Sequence, residues 1–328
     1  MSSDPLTVSA APRPFPIPGI AVANARSQAI QRRIALLVVV LPLVGLLAAI
    51  VSLWGRGIGP IDLALLGVMY FFTSIGIGIG YHRLLSHASF KTTPTVRAIF
   101  GVLGSMAAQG PVFFWAAIHR RHHSCSDHPG DPHSPYVGYD VDGFRGFLQG
   151  LWHAHVGWLF VHEITDWGRY SPDLLREPAL LKVNRFYFGW VILGLLIPAA
   201  IGGLLTRTWQ GALSGFLWGG LVRVFLVHHV TWGVNSICHI YGTKPFRSRD
   251  ESRNNAWMAI PSFGEGWHNN HHAFPFSAFH GLRWWEFDLN AWIIRGLAAV
   301  GLAWDLKAPT EKMLNESMLA EAQAAAAE

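Results

Sequence analysis

The run IALLVVVLPLVGLLAAIVSLW, residues Ile34 to Trp54, carries no charged side chain. A hydrocarbon core about 30 Å thick is crossed by roughly 20 helical residues, so this run predicts a membrane-spanning helix. Working outward, Ile61 to Tyr81 is a second such run with Asp62 at its start, and Gly55 to Pro60 leaves room only for a tight reversal. Phe186 to Leu205 and Gly211 to Val227 repeat the arrangement across the short Thr206–Gln210 loop, with Arg223 the only formal charge inside either. The expected fold is therefore all-α and integral to the membrane, with four transmembrane helices in two hairpins, at about 34–54, 61–81, 186–205 and 211–227.

Composition agrees. Hydrophobic residues make up 51% of the 328 and charged residues only 14%, against about 25% charged in ordinary soluble domains. Disordered and fibrous classes are excluded on that ground, and the net charge of +5 is read as Lys and Arg facing anionic headgroups rather than nucleic acid. Two hairpins leave both termini and the central region on one side. That side holds nearly all the Lys and Arg, while the short loops hold Arg56 and Arg207, so it is expected to be cytoplasmic. Residues 1–30 lack the apolar core and cleavage site of a signal peptide and read as a flexible tail; 309–328 reads as a solvated C-terminal tail, leaving 31–308 as the membrane domain. Val96–Ile118 is apolar, but Arg97, Gln109 and the Gly110-Pro111 break argue for interfacial helices rather than a fifth span.

The unusual feature is 17 His beside only 20 Asp and Glu. Three compact groups account for eight of the histidines: His82-Arg-Leu-Leu-Ser-His87, His119-Arg-Arg-His122-His123 and His268-Asn-Asn-His271-His272. The last two share an i, i+3, i+4 spacing that places three imidazoles on one helical face. His82 and His87, five apart, diverge by about 140° on an ideal α-helix, so both reach one site only where that helix frays or ends. Asn235 and His239 are i, i+4 and follow the fourth apolar run. Each group lies at the end of an apolar segment on the same expected side. One shared metal centre accounts for this economically, and eight or nine imidazoles are too many for one tetrahedral zinc, which points to two metals. Imidazole suits Zn, Cu, Fe and Ni alike, so the ligands alone do not choose the element. Cys125 and Cys238 form no CxxC pair and add no thiolate site.

In this order and spacing, HRLLSH, HRRHH, NSICH and GEGWHNNHH resemble the membrane fatty acyl desaturases of the Δ9 type, over about residues 60–285. Ser126-Asp127, Asp131-Pro132-His133, His155-Val156-Gly157-Trp158 and Ile240-Tyr241-Gly242 agree as well. The resemblance implies a four-span mushroom with a cytoplasmic helical cap, a di-iron centre, and O2-dependent insertion of a cis double bond into a long acyl chain. It implies as ligands His82, His87, His119, His122, His123, His239, His268, His271 and His272, with Asn235 acting through a water.

Trp115, Trp232 and Tyr70 are expected along a substrate tunnel, and Asp127, Asp131 and Glu265 are expected to accept the second N–H of ligand histidines. No nucleotide-binding glycine motif, flavin site or iron–sulfur cysteine run is present, so electrons are expected from a separate ferredoxin, rubredoxin-like or cytochrome b5-like donor. Ala117-Ile118 and His162-Glu163 stand where animal acyl-CoA members carry charged pairs, which leans slightly away from a CoA thioester. Two rival readings are a di-iron fatty acid or alkane hydroxylase and, from another class, a histidine-rich metal transporter or sensor.

Overall fold

The structure is a computed structural model that describes residues 17–54 and 57–318. Four of its helices are long and apolar enough to cross a membrane: Ala25–Ser52, Pro60–Ser86, Tyr187–Thr206 and Trp209–Ile237. They overlap the four expected runs, and two of them run on much further. The second continues past Tyr81 to Ser86, and the fourth continues past Val227 to Ile237 because no Pro interrupts the chain there. Both extensions carry histidines toward the site.

Of the two ways in which the five-residue spacing can bring His82 and His87 to one site, fraying or ending, the second helix ends at the pair. From Gly76 to Ser86 it widens into π-helical turns, and His87 closes it by donating its N–H to the carbonyl of His82 at 3.1 Å. Hydrogen bonding from i to i+5 brings residues five apart onto one side, and such turns cluster at functional sites. The fourth helix carries a second π stretch, Phe216–Val222.

Two glycines allow close packing around the second helix. A Cβ on Gly76 would lie 2.4 Å from the backbone nitrogen of Gly104, in the helix Pro94–Met106. One on Gly78 would lie 2.2 Å from the Asn290 amide nitrogen. The apolar stretch 96–118 is indeed broken, with Ala108 and Gly110 at positive φ between Pro94–Met106 and Val112–Cys125. Arg223 is fully buried yet satisfied: its guanidinium donates to the carbonyls of Gly219, Met106 and Gly194 at 3.1, 2.6 and 2.8 Å. At the opposite end of the helices, Ser214 donates to Asp62 at 2.7 Å.

The expected N-terminal tail is shorter than thirty residues. Ile20–Val22 pairs antiparallel with Glu163–Thr165, and the first helix begins at Ala25, its end capped by Asn24 accepting from the Ser27 N–H at 2.9 Å. Residues 1–16, the rest of that expected tail, lie outside the described residues. On the C-terminal side, Glu311–Ser317 is helical and docked: the Arg247 N–H donates to the Ser317 carbonyl at 2.8 Å. The remainder of that expected tail, 319–328, lies outside the described residues.

The main apolar core joins Ile75, Ile77, Ile79, Leu84 and Leu85 of the second helix to Phe100, Phe113, Leu180 and Ile294. In contrast, large apolar side chains on the first and third helices face outward, Val51 at 72% and Leu204 at 77% exposure among them. A lipid-facing surface has this character.

Candidate metal centre

Four chain segments deliver imidazoles to one buried region. The π-helical end of the second helix carries His82 and His87, and Val112–Cys125 carries His119, His122 and His123. His239 follows the fourth helix, and the six-residue helix His268–Ala273 carries His268, His271 and His272. So short a helix is marginal alone, and its asparagines anchor it. Asn269 accepts from the Phe246 N–H and donates to the Phe246 carbonyl. Asn270 donates to Glu286 and to the His280 carbonyl, each at 2.8 Å, and pairs with Asn254.

The nine histidines fall into two groups, His82, His87, His119, His123 and His271 in one, and His122, His239, His268 and His272 in the other. Within the first, Nε2 atoms approach at 3.0 Å (His82 to His271), 2.7 Å (His87 to His119) and 2.9 Å (His123 to His271). Within the second the separations are 3.4 Å (His122 to His272), 3.2 Å (His239 to His268) and 3.1 Å (His268 to His272). A metal–nitrogen bond of about 2.0–2.1 Å places neighbouring ligand nitrogens roughly 2.8–3.4 Å apart in octahedral or tetrahedral geometry. Several buried Nε2 atoms converging at such distances leave most without a proton to share. The donor set therefore fits a pair of cations, one in each group.

The neutral imidazole is the form that binds metal. Burial first, and then neighbouring imidazoles, hold His87, His119, His123, His268 and His271 well below the ordinary range. Burial lowers His272 to about 4 despite Asp250. His239 is shifted the other way: burial pushes it down, but Asp127 outweighs burial and leaves it raised.

The three acids singled out in the sequence each meet a histidine Nδ1. Asp127 lies 2.8 Å from His239, Asp131 lies 3.0 Å from His122, and Glu265 makes a short contact with His82. Burial opposes ionisation of Asp127, but His239 overrides it and holds the carboxyl near 2. A fourth acid, Asp250, meets His272 at 2.6 Å; nothing in its spacing from the histidine motifs marks it. Arg83, inside the first motif, was also missed. It is fully buried, donates twice to Glu265 and twice to Asp288, and also reaches the Ala278 carbonyl. His280 packs its ring 4.5 Å from that of His271 and 5.2 Å from that of His82.

Beside the histidines lies a narrow cavity between the second and fourth helices. Its lining includes Ile77, Trp115, Thr231, Val234, Asn235 and His268. Trp115 and Asn235 both line this cavity. Tyr70 and Trp232 do not line this cavity. Tyr70 donates its hydroxyl to the Pro261 carbonyl at 2.6 Å and sets its ring edge-on to Phe263. Trp232 is buried against His228, His229 and His155.

A family model described as fatty acid desaturase matches residues 60–305. The chain is 48% identical, over 91% of its length and 93% of the relative's, to a hex-5-enoyl-[acyl-carrier protein] acetylenase of Moorena producens (strain JHB). It is 40% identical to an sn-1 stearoyl-lipid 9-desaturase of Synechocystis sp. (strain ATCC 27184 / PCC 6803 / Kazusa), covering 74% of this chain and 71% of the relative. It is 37% identical to Delta-9 acyl-lipid desaturase 1 of Arabidopsis thaliana, covering 74% of each. The chain belongs to the fatty acid desaturase family. It is an oxidoreductase, with four apolar helices and two histidine clusters able to hold metal. That membership decides against the transporter or sensor reading.

Proposed function

We propose that this chain inserts a cis double bond at the Δ9 position of a saturated acyl chain, using O2 and two electrons from a separate protein. Hydrogen balance is met when the two methylene hydrogens, two protons, two electrons and O2 become two waters. The observation that carries the reading is the convergence of nine buried or half-buried imidazoles beside a narrow cavity between two apolar helices. When bound, a pair of iron ions supplies the oxygen-activating redox chemistry that attack on an unactivated methylene requires.

The chain's own residues do the rest. His82, His87, His119, His123 and His271 would hold one ion, and His122, His239, His268 and His272 the other, with Asn235 on the cavity wall placed to hold a water. Asp127, Asp131, Asp250 and Glu265 fix ring orientation through Nδ1. Trp115, stacked on His119 with ring centroids 5.0 Å apart, and the aliphatic wall of Ile77 and Val234 exclude water and position the chain, so that regiochemistry becomes a distance from the carrier end. The helices are read as two hairpins with termini and histidines on the cytoplasmic face, where a ferredoxin, rubredoxin-like or cytochrome b5-like donor docks.

Δ9 chemistry on a lipid-linked chain is supported by the names of two relatives. A second reading, desaturation of an acyl chain on acyl-carrier protein, is favoured by the higher identity and fuller coverage of the Moorena relative. The test is the fatty-acid profile, with double-bond positions and carrier, of an aerobic host expressing the chain beside a His271→Ala control. A Δ9 monoene in glycerolipid that vanishes in the control supports the first reading, and unsaturation confined to acyl-carrier protein supports the second. Hydroxylated chains would make it a hydroxylase. No lipid change from folded, iron-loaded protein supplied with an electron donor would overturn the desaturase reading.

A further inference from the structure

The two histidine groups differ in what stands behind them. In the four-histidine group, three rings have a carboxylate at Nδ1: His239 with Asp127, His122 with Asp131, and His272 with Asp250. In the five-histidine group, among the described residues, only His82 has one, Glu265. The carboxylates also differ in compensation. Glu265 is shared with Arg83, which donates to it from two nitrogens, and with the Asn290 amide. Among the described residues, Asp127, Asp131 and Asp250 form no ion pair with Lys or Arg. Their other partners are neutral donors: the N–H groups of Asp127, His133, Glu251 and Ser252 and the Ser134 hydroxyl. Three negative charges thus surround the smaller group with imidazoles and neutral donors to answer them, whereas the larger group has a single carboxylate, which shares the Arg83 cation with Asp288.

We infer that the two metal positions are unequal, the four-histidine position binding a cation first and more tightly. Asp127, Asp131 and Asp250 are its positioning residues. A carboxylate on the remote nitrogen makes an imidazole a more basic ligand, and uncompensated charge within a buried site adds Coulomb attraction that solvent does not screen. This inference rests on the two-metal reading above and concerns how that centre is assembled. It also gives the halves different preferences for oxidation state, because the more negative surroundings favour the higher charge.

The experiment uses the full chain, purified in detergent, stripped of metal and titrated with Zn2+ against a competing chelator. Two ions per chain in two affinity classes are expected. Asp127→Asn, Asp131→Asn and Asp250→Asn keep an acceptor oxygen and remove the charge. Each is expected to weaken the tight class by roughly 10–100-fold and leave the weak class in place, while Glu265→Gln weakens only the weak class. Asp250→Glu, which keeps the charge, retains the tight class. Two indistinguishable classes in the wild type, aspartate variants that weaken the loose class, or an Asp250→Glu variant as impaired as Asp250→Asn would each overturn the inference. Fewer than two ions per wild-type chain would instead overturn the two-metal reading on which it stands.

Discussion

His87 donates its backbone N–H to the carbonyl of His82, five residues earlier, at 3.1 Å. That one bond reconciles an awkward sequence spacing with a shared site, because π-helical turns from Gly76 onward carry both rings into the same cluster. The widened turns are packed tightly from the outside, and substitution there has a defined consequence.

Gly76→Ala would drive a methyl group into the backbone of Gly104 and Leu103. Since the atoms it meets are main chain, the helices must separate, at a cost of about 1–3 kcal/mol for overpacking. A lowered thermal midpoint together with weakened metal retention is expected from paired melting and metal analyses. Gly67→Ala, which meets nothing within 4 Å, is the control and should leave metal retention unchanged and the midpoint no lower, since Ala is favoured over Gly inside a helix.

Arg83 is a single cation paired with two buried carboxylates, Glu265 and Asp288. Arg83→Met would leave both without a cation, and breaking a buried pair costs roughly 3–5 kcal/mol. Chemical denaturation should show a loss of that order. Adding Glu265→Gln and Asp288→Asn in the same chain should recover part of it, because the desolvated charges are then gone; a triple variant no more stable than the single one would contradict this.

The histidines set the acid limit of the metal-free protein. His272, lowered from 6.5 to about 4, takes up a proton in the unfolded chain before it does so in the folded one, so stability falls as pH drops from 6.5 toward 4. The other lowered histidines act in the same direction, and His239, raised by Asp127, acts against them. The melting temperature of stripped protein is therefore expected to decline between pH 7 and pH 5, and saturating Zn2+ should raise it throughout without flattening the decline, because the unfolded chain still takes up the protons that the liganded rings cannot. A melting temperature that Zn2+ does not raise would show that the rings do not ligate it.

Asn269 bonds both backbone groups of Phe246 and is fully buried. Asn269→Ala strands that N–H and C=O at a cost of about 1–3 kcal/mol each in a buried setting. Because Asn269 lies between His268 and His271, loss of metal is expected to accompany loss of stability. Full metal content in the variant would mean that the short helix keeps its place without this anchor.

Much of this architecture is legible from residue order. Uncharged runs as long as a bilayer is thick have few alternatives to membrane helices, and the i, i+3, i+4 histidines announce their common face through α-helical periodicity alone. The π widening at Gly76–Ser86 is not legible, since it depends on packing against Pro94–Met106 rather than on a local pattern. Asp250 escaped notice for a related reason: it reaches His272 only because Asn254 and Asn269 fold the intervening loop back onto the short helix. The same applies to Ile20–Val22, whose pairing with Glu163–Thr165 spans more than a hundred residues. Trp115 and Trp232 are indistinguishable as letters; the rotation of their helices turns one to the cavity and the other to His228.

The most direct test of the two-metal centre is the iron content of the purified chain, measured beside His271→Ala from the five-histidine group and His268→Ala from the four-histidine group. Two irons per wild-type chain, with each variant losing iron chiefly from its own half, is the expected result. One iron or none in folded wild-type protein loaded under iron-replete conditions, or full occupancy in both variants, would contradict it.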